Sequence, residues 1–186
     1  MTDRVEEAFA AMPRAGFLPK SQRSKAGYDG PLEIGHGQTN SQPHTVDAML
    51  RLLDVQPGHR VLDVGSGSGW TTALLAHLVG AQGRVYGVEL VPELVEMGAA
   101  NLCATNQPWA SIRQASAGVL GLPELAPFDR ILVSAVPSEL PQELVAQLAD
   151  GGVMVIPVNG TMLRVVRRAE GPQITEHGAY RFVPLL

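Results

Sequence analysis

Residues 61–70 read Val61-Leu62-Asp63-Val64-Gly65-Ser66-Gly67-Ser68-Gly69-Trp70. Val61, Leu62 and Val64 form the short apolar run of a parallel strand covered on both faces. Gly65, Gly67 and Gly69 let the backbone turn sharply and let a ligand approach with no Cβ in the way. Thr71 to Val79 then has helical composition, with Leu74, Leu75 and Leu78 on one face. The order strand, glycine turn, helix is the start of a βαβ unit. Two phosphate-binding versions of it are excluded by residue identity. The dinucleotide fingerprint G-x-G-x-x-G requires glycine where Trp70 stands, and no G-x-x-x-x-G-K-[ST] loop occurs.

The acids near the turn indicate another ligand. Glu89 ends a second apolar run, Arg84-Val85-Tyr86-Gly87-Val88-Glu89, about 20 residues past the last glycine, where an acid can accept bonds from both ribose hydroxyls. Asp63 adds a second carboxylate. Two carboxylates beside a glycine turn suit a cationic ligand better than a pyrophosphate. S-adenosylmethionine carries a ribose, a sulfonium and an ammonium, and no phosphate. The plainer alternative is a βαβ unit with ordinary surface acids.

The rest of the chain alternates in the same way. Strand-like runs at Arg60–Gly65, Val85–Glu89, Ser111–Arg113, Arg130–Ser134 and Val153–Pro157 are separated by helical stretches at Thr71–Val79, Pro92–Thr105 and Ser138–Leu148. Pro92 and Pro141 sit near helix starts, and Gly151-Gly152 reads as a helix stop. This predicts an α/β, doubly wound parallel sheet with its ligand at the C-terminal edge of the strands. Asn159-Gly160 between Val153–Val158 and Met162–Arg168 is a hairpin signal. A further turn at Glu170-Gly171-Pro172 returns a seventh strand over Ile174–Gly178. The predicted core order is therefore 3-2-1-4-5-6-7. Upstream, Thr2–Met12 is a short amphipathic helix capped by Thr2 or Asp3, and Pro13 ends it. Ala15–Pro19 reads as an extended anchor, Ser21–Gly30 as a polar loop or short helix, and Thr45–Leu53 as a helix.

The chain has 186 residues with 45% hydrophobic composition, enough for one domain with a sizeable core. That domain divides into N-terminal helices and a loop (1–55), a cofactor-binding core (56–158) and C-terminal antiparallel strands (159–186). A net charge of −4 with no long basic run argues against a nucleic-acid partner. The densest cationic cluster, Arg164, Arg167 and Arg168, reads as a solvated strand face or edge. Cys103 stands alone, so no disulfide framework or cysteine-based metal site is expected. His59, His77 and His177 read as surface residues, and no histidine pair has metal spacing with a third ligand. No signal peptide and no apolar run of membrane-spanning length is visible, so the expected setting is the cytoplasm and the expected form a monomer.

The segment Gly30-Pro31-Leu32-Glu33-Ile34-Gly35-His36-Gly37-Gln38-Thr39-Asn40-Ser41-Gln42-Pro43-His44 has too many glycines and prolines for a core element and too few charges for a merely solvated loop. It brings hydroxyls (Thr39, Ser41), an amide (Gln38) and two imidazoles (His36, His44) together ahead of a helix. Such a loop over a cofactor turn is a candidate substrate platform. The pattern Pro31-Leu32-x-Ile34-Gly35-x-Gly37-Gln38-Thr39-x-Ser41-Gln42-Pro43 resembles the signature of the protein-L-isoaspartate O-methyltransferase family. Met12-Pro13-Arg14 with Phe17-Leu18-Pro19, Gly65-x-Gly67-Ser68-Gly69, Pro127-Phe128-Asp129-Arg130-Ile131-Leu132-Val133, Leu148-Ala149-Asp150-Gly151-Gly152 with Val155-Ile156-Pro157-Val158, and Arg181-Phe182-Val183-Pro184-Leu185 are similar to further family segments.

The resemblance implies a class I, S-adenosylmethionine-dependent methyltransferase that methylates L-isoaspartyl carboxylates in damaged peptides and proteins. The ester then closes to a succinimide, which makes the reaction a repair. It implies Ser41, with Thr39, at the acceptor carboxylate, and Asp63, Gly65, Ser66, Gly67, Ser68, Gly69, Glu89, Leu90, Ser116 and Ala117 at the donor. Ile34, His36, Gln38, His44, Val183, Pro184 and Leu185 would face the substrate, and no metal is implied. The chain departs from the family at Ala115-Ser116-Ala117, where Gly-Asp-Gly is usual. Losing that charge-assisted bond, worth roughly 1.5–3 kcal/mol, would weaken donor binding roughly tenfold to a hundredfold. Glu33 likewise replaces a usual proline. Three readings stay open: an isoaspartyl methyltransferase, a relative that methylates another carboxylate, and a donor-binding module without activity.

Overall fold

The computed structural model describes residues 3–185. Helix α1 (Arg4–Ala11) is capped by Asp3, whose Oδ1 accepts from the Val5 and Glu6 amides. Thr2, the other cap considered, lies outside the described residues. The residues after Pro13 are not extended. They coil into two 3-10 turns, Arg14–Phe17 and Lys20–Lys25. The glycine-rich segment that follows is more regular than its composition suggests: β1 (Leu32–Gly35) and β2 (Gln38–Asn40) form an antiparallel hairpin. Helix α2 (Pro43–Leu53) closes this N-terminal part.

The core is a seven-stranded sheet. Its strands are β3 (Arg60–Val64), β4 (Arg84–Glu89), β5 (Ala110–Gln114), β6 (Phe128–Val133), β7 (Leu148–Val158), β8 (Thr161–Val166) and β9 (Gln173–Ala179). They lie in the order β5-β4-β3-β6-β7-β8-β9, which is 3-2-1-4-5-6-7 counted from β3, as predicted. The first five are parallel, and β8 and β9 run antiparallel. Asn159 and Gly160, at φ of 47° and 85°, make the tight turn that joins β7 to β8.

Alternation along the buried strands builds two cores. Val61, Leu132, Val153 and Val155 face α2 and helix α3 (Trp70–Val79), while Leu62, Ile131, Met154 and Ile156 face the opposite layer with Phe128 and Leu144. Helix α3 is buried almost all round, not on one face, because α1 covers it from outside and helix α4 (Pro92–Cys103) flanks it.

Two local readings change. The helix expected over Ser138–Leu148 is only α5 (Gln142–Ala146), entered from Pro141. Leu148 already belongs to β7, and Gly151-Gly152 is no helix stop. Gly151 has φ of 73°, and the pair makes a bulge where β7 pairing with β6 jumps from Leu148 to Val153. Two of the three clustered arginines are half-buried and engaged by backbone carbonyls. Arg164 Nε donates to the Leu52 carbonyl (2.9 Å) at the end of α2, and Arg167 donates to the carbonyls of Ala146, the last residue of α5, and Leu148. Cations there satisfy orphan carbonyls and complement the helix dipole.

Glycine also decides how α4 meets the turn after β3. A Cβ on Gly98 would stand 2.7 Å from the Gly67 carbonyl oxygen, and one on Gly69 would stand 2.8 Å from that of Gly98. Beneath the same turn Asp63 is completely buried, with Oδ2 accepting from the Thr71 and Thr72 hydroxyls at 2.7 Å each and Oδ1 given no hydrogen bond. Burial pushes its pKa up to about 6. The threonine hydroxyls pull it back down, and the nearby charge of Glu89 adds to the rise.

Two outcomes are expected. Gly98→Ala gains about 1 kcal/mol of helix propensity but loses about 1–3 kcal/mol to the backbone clash, so urea denaturation should show net destabilisation. Unchanged or higher stability would mean that α4 is free to slide. For Asp63, the folded-state pKa lies above the unfolded one. The native state therefore holds more protons between about pH 4 and 6, and stability falls as pH rises through that window. At roughly 1.4 kcal/mol per unit, Asp63→Asn should gain about 1–3 kcal/mol relative to wild type between pH 4 and pH 7.5. Parallel pH profiles for the two proteins would remove Asp63 from this role.

Candidate functional site

The sheet reverses its winding between β3 and β6, and a cavity of about 690 Å³ opens above the carboxyl ends of β3, β4 and β6. That is the position and size expected of a small-molecule site in an open α/β sheet. Its floor is the turn after β3, where Gly65, Gly67 and Gly69 have φ of 79°, 51° and 90°. The Gly65 and Ser66 amides donate to the Val88 carbonyl at 2.9 and 3.0 Å, which ties the turn to β4.

Glu89 completes the tie. Its side chain is nearly buried, with Oε2 accepting from the Gly67 amide (2.9 Å) and Oε1 from the Leu90 (2.7 Å) and Val91 (3.0 Å) amides. One carboxylate thus holds both the turn after β3 and the loop after β4. Two oxygens offer about four lone-pair sites, so acceptor capacity remains for a ligand.

Of the residues singled out for the donor, Gly65, Ser66, Gly67, Ser68, Glu89, Leu90, Ser116 and Ala117 line the cavity. Asp63 and Gly69 do not. Asp63 lies under the floor, clamping the start of α3, and Gly69 turns its Cα toward α4. Of the acceptor and substrate residues, Ile34, Gln38, Thr39, Ser41, Val183, Pro184 and Leu185 line it. His36 sits at the hairpin tip with φ of 55°, exposed and outside the wall. His44 is in the first turn of α2, where its amide donates to Asp29 Oδ1 (3.0 Å), and its ring borders a separate shallow groove with Glu6, Phe9, Pro43 and Asp47. Neither lines the cavity as the sequence reading expected, and the causes differ: His36 is at the tip of the β1–β2 turn and His44 in the first turn of α2. The β1–β2 pairing fixes which residues of the segment face inward, and composition alone carries no register.

Two wall segments come from distant chain. The terminal residues pair with the loop after β6 through Val136 N to Val183 O (2.8 Å) and Leu185 N to Val136 O (2.9 Å). Ser134, Ala135, Glu139 and Glu143 also reach the cavity. None of these four was named as a site residue from the sequence, because their place at the wall depends on the loop geometry around the short α5.

Arg14 and Asn40 are the other residues that sequence reasoning missed. Arg14 is buried, and its guanidinium donates to Asn40 Oδ1 and to four backbone carbonyls between Tyr28 and Ser41. Asn40 in turn donates from Nδ2 to Ser68 Oγ in the glycine turn (3.2 Å). The available signal was the place of Arg14 in Met12-Pro13-Arg14, one of the segments that resemble the family.

The cavity wall carries the carboxylates of Glu89, Glu139 and Glu143, and no lysine, arginine or histidine among the described residues. The Ser66 hydroxyl is buried in that wall with no hydrogen-bond partner among protein atoms. Negative walls, an unpaired hydroxyl and a glycine floor fit a cationic nucleoside such as S-adenosylmethionine.

Comparison with known proteins agrees with this geometry. The profile of the protein-L-isoaspartate(D-aspartate) O-methyltransferase (PCMT) family matches residues 1–186. The protein-L-isoaspartate O-methyltransferase of Methanopyrus kandleri is 43% identical over 190 residues, covering 100% of this chain and 84% of that protein. The Aeropyrum pernix protein of the same name is 47% identical over 189 residues, covering 98% and 72%. Among solved structures, a Plasmodium falciparum protein described as a protein-L-isoaspartate O-methyltransferase, in complex with S-adenosyl-L-homocysteine, superposes with a TM-score of 0.89 at 29% identity, covering 100% of this chain and 91% of that one. With the strand order and the switch-point cavity, these similarities establish that the chain belongs to the protein-L-isoaspartate(D-aspartate) O-methyltransferase family and has the class I methyltransferase fold.

Proposed function

We propose that this chain transfers a methyl group from S-adenosylmethionine to the free carboxylate of L-isoaspartyl residues in damaged peptides and proteins. The observation that carries the reading is the direct contact between two segments with different tasks. Asn40, between Thr39 and Ser41, hydrogen-bonds Ser68 in the glycine turn, so the hydroxyl-bearing segment stands at the edge of the donor floor.

The donor supplies an electrophilic methyl on a sulfonium. The protein's residues have three tasks. Glu89 and the turn from Gly65 to Ser68 hold the donor, with the wall carboxylates complementing its positive charge. The acceptor carboxylate, with a pKa near 3.9 as for aspartate, is ionised at neutral pH and needs no general base. Ser41, with Thr39, orients it by hydrogen bonds, and alignment is the main catalytic task for a displacement of this kind. Ile34 and the Val183–Leu185 strap narrow the cavity and shield it from water.

A second reading has its own observation. Ser116 stands where the family's charged adenine-side acceptor is usual. That departure is what keeps open a relative acting on a different carboxylate.

Labelled methyl transfer to an isoaspartyl peptide and to its normal aspartyl twin separates the two. Incorporation into the isoaspartyl peptide alone is the expected result, and equal or no incorporation sinks the first reading. Ser41→Ala should lower turnover by about tenfold or more, the loss of one or two orienting hydrogen bonds, while calorimetry shows donor affinity within about twofold of wild type. Equal turnover would remove Ser41 from the mechanism.

A further inference from the structure

The Arg14 guanidinium is a charge held at 6% exposure with no carboxylate bonded to it. Nε donates to Asn40 Oδ1 at 2.7 Å. Nη1 donates to the Tyr28 carbonyl at 2.7 Å, and Nη2 to the Gly30, Asn40 and Ser41 carbonyls at 2.8, 3.1 and 3.0 Å. Its carbon lies 5.6 Å from the centroid of the Trp70 ring, and the Trp70 indole nitrogen donates to the Met12 carbonyl at 2.9 Å. Arg14 itself does not reach the cavity wall, whereas Asn40 does.

A guanidinium only donates. It therefore dictates the orientation of the Asn40 amide: the oxygen must face Arg14, and the NH₂ group is directed at Ser68. The Ser68 oxygen accepts that bond, which leaves the Ser68 hydroxyl proton for another acceptor. An ammonium also only donates, but its three donors could not reach all five of these acceptors as the planar fork does.

We propose that Arg14 and Asn40 form a positioning relay that couples the donor turn at Ser68 to the acceptor segment Thr39–Ser41. The proposal rests on the function argued above for the identity of the two ligands, but the coupling itself is a property of the chain. Arg14 sets the amide, the amide fixes the distance between Ser68 and residues 39–41, and occupancy of the turn is felt in the acceptor segment. The same charge ties down the Ser41 carbonyl, so Ser41 has one backbone placement relative to the floor. Neither residue is assigned a chemical step.

The test uses Asn40→Ala and Arg14→Lys in the full chain, with S-adenosylhomocysteine as probe. Amide hydrogen exchange over residues 38–42 is measured with and without the probe, and calorimetry gives its affinity. In wild type the probe should slow exchange in that segment by about fivefold or more. In Asn40→Ala the slowing should vanish while probe affinity stays within about threefold, and kcat on an isoaspartyl peptide should fall more than about tenfold. Arg14→Lys should behave alike. If it does not fold, Asn40→Ala decides alone, because that variant leaves the four backbone bonds of Arg14 in place. No slowing in wild type, or slowing retained in Asn40→Ala, overturns the relay. Equal losses in affinity and kcat also overturn it, since they indicate general damage to the site. Wild-type protein that shows the exchange coupling but methylates no isoaspartyl peptide would refute the function and leave the relay standing.

Discussion

The Glu89 carboxylate is the interaction on which the site depends. Three backbone amides, from Gly67, Leu90 and Val91, converge on its two oxygens at 2.7–3.0 Å. Those amides belong to two different loops, so a single side chain sets the separation of the turn after β3 from the loop after β4. Bonds from backbone donors to an ionised acceptor are among the stronger ones in a protein, and they are stronger still where water is excluded. The arrangement is pre-formed. A ligand entering the cavity meets a floor already shaped, with no loop to order first.

Around that fixed point the molecule is assembled from pieces far apart in the chain. The floor comes from the centre of the sequence, one wall from residues 32–41 and another from residues 183–185, which pair with the loop at Val136. The hairpin packs through Leu32 and Ile34 onto Leu18 and Leu94, a small apolar cluster separate from the two main cores. Ile34 also stands close enough to Gly67 that a Cβ there would come within 3.2 Å of it. The hairpin and the turn after β3 therefore approach closely at Ile34 as well as through the Asn40–Ser68 bond. The wall charges are all negative, which makes a bound cation the natural counter-charge for an incoming carboxylate.

Much of this was legible in the residues. Buried parallel strands read as apolar runs, Asn159-Gly160 signalled its own hairpin, and Gly65 to Gly69 marked the floor. The misses have physical causes. Gly151-Gly152 after an apolar stretch looks the same whether it stops a helix or forms a bulge, and only pairing with β6 distinguishes the two. Asp63 looked like a ligand for a cation because it neighbours the glycine turn. A strand residue points to one side of the sheet, and this one points at Thr71 and Thr72. His36 and His44 share a segment with Gln38, Thr39 and Ser41, yet one occupies a left-handed turn and the other a helix start.

By itself the sequence determined the order of elements, the place of the switch point and the glycine turn that floors the cavity. These follow from periodicity, glycine and strand-end acids, all of which are local properties. Only the tertiary structure decided which members of the glycine-rich segment face the cavity, that Arg14 spends its charge on carbonyls 14–27 positions away, and that a five-residue helix leaves room for Glu139 and Glu143 at the wall. The physical reason is the same in each case. Orientation and long-range hydrogen bonding depend on where two distant backbones come to rest against one another, and no window of neighbouring residues encodes that meeting.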